Sequence, residues 1–100
     1  MDGWEVHVFL GLGEARGRDG FEKGARHSLL IFCRQSTGEA PNESLARKSA
    51  SQAGWKNIRL ERSRRLPATA QPAEPALLAA LHEALEEGAA VVAHRRKDGR

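Results

Sequence analysis

The chain has 100 residues, 40% apolar and 5% aromatic, with sixteen Lys and Arg against thirteen Asp and Glu for a net charge of +3. That length makes one domain, residues 1–100, with a single core and little surplus stability. The charge falls short of a committed nucleic-acid binder, the lone Cys33 excludes an internal disulfide, and no apolar run approaches the ~20 residues of a membrane span.

Trp4 to Leu12 alternate with period two. Trp4, Val6, Val8, Leu10 and Leu12 point one way, and Glu5, His7, Phe9 and Gly11 the other, as in a half-buried strand. Gly13 to Arg26 is rich in glycine and charge, with Phe21 its one large apolar group. No helix period survives there, so a long mobile loop is expected across 13–26. His27 to Gln35 is a second strand. Leu29, Ile31 and Cys33 lie on one face and Leu30 and Phe32 on the other, so both faces need cover and the strand is internal. Cys33 reads as a small buried hydrophobe.

Asn42 caps a helix that runs to Ala53, with Glu43 in its first turn and Leu45, Ala46, Ser49, Ala50 and Ala53 as the buried stripe. Gly54 ends it, and Trp55 is placed to fold back over the last turn. Trp55 to Leu60 is a third strand with one charged face, which suggests a sheet edge. Ser63 to Ala73 reads as an irregular connection because of Pro67 and Pro72. Pro75 opens a second helix whose Leu77, Leu78, Leu81, Ala84 and Leu85 recur at helical spacing. Gly88 stops it. Glycine just past a helix end adopts the left-handed cap without a Cβ clash. Ala89 to His94 is the last strand, and Arg95 to Arg100 form a frayed tail.

The order β-β-α-β-α-β predicts an α+β fold: a four-stranded mixed sheet with its last three strands parallel, two helices, and a two-layer sandwich of ferredoxin-like size. The hairpin-first order departs from the ferredoxin-like arrangement itself. If both helices share a face, the second and fourth strands leave apolar groups bare on the other, and that marks an interface.

Candidate chemistry is sparse. Three imidazoles form a known metal set, and His7, His27 and His94 converge if their strands are neighbours, yet no pair has ligand spacing, so no metal site is assigned. His7 and His27 are instead candidates for a ligand pocket under the 13–26 loop. Gly11, Gly13 and Gly17 lack the helix that a dinucleotide fingerprint opens, and no cofactor is implied. Ser44, Ser49 and Ser51 sit on a helix without a nucleophile elbow, and Glu83, Glu86 and Glu87 end a helix on its solvent face. No catalytic residue is assigned.

The basic run Lys56, Arg59, Arg62, Arg64 and Arg65 leaves the third strand, and Arg95 and Arg96 leave the fourth. Parallel strands would bring both clusters to one rim able to hold phosphate or nucleic acid. A solvated, charge-guarded edge is the simpler reading of the same residues. The reading that follows is a small non-enzymatic protein-interaction module that forms a homodimer or joins a protein partner. Phosphate or nucleic-acid binding is the alternative, and a small-ligand binder or enzyme the second alternative. The single thiol and the N-terminus without a basic, apolar leader point to the cytoplasm, and the alanine and arginine content to a bacterial genome.

Overall fold

The computed structural model describes residues 3–95. Its elements are β1 (Trp4–Ala15), β2 (Arg26–Ser36), α1 (Glu43–Gln52), β3 (Trp55–Pro67), α2 (Pro75–Glu87) and β4 (Ala89–Ala93). The sheet order is β3-β1-β2-β4. Every neighbouring pair is antiparallel, so the sheet is not mixed. β2 is internal and β3 is an edge, as their side-chain patterns predict.

The parallel expectation fails at one place. β3 ends at the Glu5 end of β1, and β4 starts opposite Cys33, at that same end. A strand–helix–strand unit is parallel only when the helix carries the chain back along the sheet. Here the 68–74 connection makes that return. α2 then runs with β3: Leu77 lies near Leu10 and Leu30, and Leu85 accepts a hydrogen bond from Arg34 at 2.8 Å. β4 therefore points opposite to β3.

The helices do not share a face either. α1 buries Ala46 and Ala50 against Phe9, Leu29, Ile31, Cys33 and Trp55. α2 buries Ala80, Leu81 and Ala84 against Val6, Phe32 and Ala90. Odd and even residues of β2 thus meet different helices. The architecture is three layers, α1 on the sheet on α2, not a two-layer sandwich. The apolar alternation on both sides of β2 demands this, because each bare face would cost roughly 25 cal/mol per Å² of apolar surface left wet.

Local chemistry sets the turns. Asn42 accepts a hydrogen bond from the Leu45 N–H at 3.0 Å and caps α1. Buried Gln35 holds this turn at both ends of its amide: Nε2 donates to the Ala40 carbonyl at 2.8 Å, and Oε1 accepts from the Asn42 N–H at 2.9 Å. Gly88 closes α2 with φ of 103° and donates to the Ala84 carbonyl at 2.8 Å. The strands reach further than their hydrophobic patterns. β1 and β2 extend into the glycine-rich segment, leaving 16–25 as the connection, and β3 continues to Pro67. Phe21 packs edge-on against His27 and Trp55, with ring centroids 4.9 and 5.0 Å away. Trp55 is thereby a core residue of the α1 layer. Among the described residues no helix is long and apolar enough to cross a membrane.

The β1–β3 pairing carries two register shifts, after Leu10 and after Leu12. At the first, Gly11 approaches β3 so closely that an added Cβ would lie 2.6 Å from the Arg59 carbonyl oxygen. That neighbour is backbone and cannot rotate away. Gly11→Ala is therefore expected to destabilise the fold by about 1–3 kcal/mol, lowering Tm by several degrees in a thermal melt. An unchanged Tm would show that the two strands separate freely there.

Candidate binding groove

The two helices cover their faces unequally. α1 packs on β2, β3 and β4, whereas α2 packs on β4, β2 and β1 and touches β3 at most at its margin, near Leu66. The uncovered strip is a groove of about 550 Å³. Val8, Leu10, Leu30 and Phe32 form its floor, while Leu66, Ala70, Pro72 and Leu77 wall it. Arg62 and Arg64 stand on its β3 side.

The β-ladder explains those arginines. Leu10 pairs with Arg62, Val8 with Arg64 and Leu12 with Arg59, so all three cations project from the groove face. The other two members of the basic run differ. Lys56 shares the face but is paired with Glu14, 3.5 Å away. Arg65 is on the opposite face beside His7, donating to the Glu39 carbonyl at 2.9 Å and lying 3.9 Å from Glu5. Arg59, Arg62 and Arg64 are exposed and form no ion pair with a described residue.

The expected shared rim with the fourth strand does not form, because β4 is the far edge of the sheet and runs opposite to β3. Arg95 stacks over Phe21 at 4.2 Å and donates to the Asp19 carbonyl at 3.0 Å. Arg96 lies outside the described residues.

The three histidines do not converge, because His7 stays far from His27 and His94. His7 and His27 are both buried on the α1 face, but His27 pairs with Gly13, six residues along β1 from His7, about 20 Å away. His7 Nε2 donates to Glu5 at 2.9 Å. That bond, with one from the Gly38 N–H, holds the Glu5 carboxyl below its usual range. His27 Nδ1 donates to the His94 carbonyl at 2.7 Å, and Phe21 fills the space beside its ring. Among the described residues no group of His, Cys, Asp and Glu is placed to hold a metal.

The groove residues went unread in the sequence because Val8, Leu10 and Leu30 carry an ordinary core pattern. Only the reach of α2 decides which of them stay wet. A second unread feature is the bulge at Asn57, which adopts φ of 51° and donates from Nδ2 to Glu14 at 2.9 Å. Asparagine tolerates this left-handed conformation, and a lone Asn in a charged strand is the signal that marks it.

The lining gives the groove a defined chemistry. Aliphatic and aromatic groups accept apolar side chains, and the permanently charged guanidinium groups pair with carboxylates or phosphates. Compared with models of known families, with curated proteins and with solved structures, the chain matches none.

Two measurements probe these placements. The Asn57 hydrogen bond, with Lys56 beside it, lowers the Glu14 pKa. A lowered carboxylate stabilises the fold above its unfolded-state pKa and loses that contribution as pH falls through the folded value. The stability gap between wild type and Glu14→Gln in urea should therefore be present at neutral pH and shrink below the usual glutamate range. A gap independent of pH would contradict the contact. Burial pushes the Cys33 thiol up to about 12. A thiol reagent at neutral pH should react with the denatured chain and leave the native one untouched. Rapid native labelling would place Cys33 at the surface.

Proposed function

We propose that this protein is a non-enzymatic protein-interaction module that associates with another polypeptide, in the first instance a second copy of itself. The observation that carries the reading is the half-covered α2 face. An apolar groove of about 550 Å³ lies beside an edge strand whose outer main chain is open to pairing. The occupant must bury apolar surface and present acid to Arg59, Arg62 and Arg64. This chain itself carries exposed acid at Glu83, Glu86 and Glu87. The proposed setting is the bacterial cytoplasm, in keeping with a single buried thiol.

A second reading rests on the same arginines: three cations on one face, with no ion pair among the described residues, suit a phosphate-rich partner. The fourth-strand arginines do not extend that surface, which leaves a small footprint for nucleic acid.

Sedimentation velocity across the micromolar range separates the readings. Self-association is expected to appear as a larger species that grows with concentration and weakens in salt. Fluorescence anisotropy with a labelled oligonucleotide at low salt is expected to show no binding. A monomer at every concentration would overturn self-association, and salt-sensitive oligonucleotide binding would favour the second reading.

A further inference from the structure

We infer that copies of this chain join head to tail through unlike sheet edges, β3 of one copy pairing with β4 of the next. The inference rests on the self-association reading and specifies its geometry.

Strand direction supplies the first argument. Along β3-β1-β2-β4 the direction reverses at every step, so the outer strands β3 and β4 run opposite to each other. A copy shifted sideways without being turned over presents its β3 antiparallel to the first copy's β4. The joint then repeats the ladder used inside each molecule, and α2 of one copy lies on the same side as α2 of the next.

Register supplies the second. Val8 pairs with Phe32 and Arg64, and Phe32 pairs with Ala90. Leu10 pairs with Leu30 and Arg62, and Leu30 pairs with Val92. Across the joint, Arg64 therefore comes level with Ala90 and Arg62 with Val92, all on the α2 face. The β4 edge lies in a cleft of about 310 Å³ between the helices, with Ser49 and Gln52 on one side and Glu83 and Glu87 on the other. Glu87 sits next to the Gly88 cap, level with the start of β4, and Glu83 one turn back. Arg64 and Arg62 thus approach Glu87 and Glu83.

Charge supplies the third. A two-fold β3–β3 joint would set arginines against arginines, and a β4–β4 joint would set glutamates against glutamates. Like charges across a strand pair are unfavourable. Cations on an edge strand also guard against aggregation, but a guard needs no acid at the opposite edge. Opposite signs on the two edges reject like pairing and favour unlike pairing. Such a contact is heterologous, so it propagates into a ring or filament instead of closing as a two-fold dimer.

Charge-reversal variants test this, because all four side chains are exposed and none lies in the core. Arg62→Glu with Arg64→Glu disables the β3 edge, and Glu83→Lys with Glu87→Lys disables the β4 edge. Thermal melts confirm that each variant folds. The expected result is assembly of the wild type, about a hundredfold weaker assembly of either double variant alone, and recovery when the two are mixed. Recovery also proves that both variants are native. If the wild type assembles but the Glu83/Glu87 variant assembles equally well, or the mixture stays monomeric, the head-to-tail joint is wrong while self-association stands. If the wild type is monomeric throughout, self-association fails and the joint with it.

Discussion

The central hairpin is apolar on both of its faces, and every other element answers to that constraint. Phe9, Leu29, Ile31 and Cys33 look toward one side, and Val6, Leu30 and Phe32 toward the other. A sheet of this kind cannot rest on one helical layer with its reverse in water. Two helices are available, so each takes one face. The three-layer build follows from that division.

Geometry then explains why cover is complete on one side only. A helix is about 10–12 Å across, and four strands spaced about 4.8 Å apart span more than that. One helix therefore seals roughly half a face. On the α1 side the remainder is filled by large groups from other segments: Trp55 starts β3, and Phe21 folds in from the 16–25 connection. Alanines at 46 and 50 let the helix sit close enough to meet them. On the α2 side the remainder receives Leu66 at the end of β3, Ala70, Pro72 and the flank of Leu77. These are small or peripheral, so the floor of Val8 and Leu10 stays partly wet. The groove is the deficit left by a helix that is too narrow and a connection that is too light.

Local signals in the chain were legible because they act over a few residues. Asn42 before an alanine stripe, Gly88 after a leucine stripe, and the doubly apolar β2 each imply their structure without reference to the rest. The direction of β4 was not legible. It depends on whether 68–74 loops in place or travels back along the sheet, and Pro67 and Pro72 allow either. The second half of β3 was hidden for a different reason. Arg62, Ser63, Arg64 and Arg65 have no apolar alternation, yet the main-chain ladder to β1 continues under them because an edge strand tolerates charge. Placing His7, His27 and His94 together needed strand offsets that periodicity does not contain. The groove was the least visible feature, since its residues look like core until the reach of α2 is known.

Net charge conceals the most directional feature of this surface. A balance of +3 is compatible with any mixture of signs around the molecule. Here the exposed cations Arg59, Arg62 and Arg64 gather at the β3 edge, and the exposed acids Glu83, Glu86 and Glu87 gather on the helix that covers the β4 edge. Concentrating like charges two residues apart on one face raises the energy of the isolated molecule, and a scattered arrangement of the same side chains would not. Solubility needs charge, but it does not need segregation. Cations on an open edge guard it against aggregation, and a surface of the opposite sign adds a further benefit; the far edge of the same sheet is such a surface. In the proposed joint, the repulsion carried by the free chain is exchanged for attraction on contact.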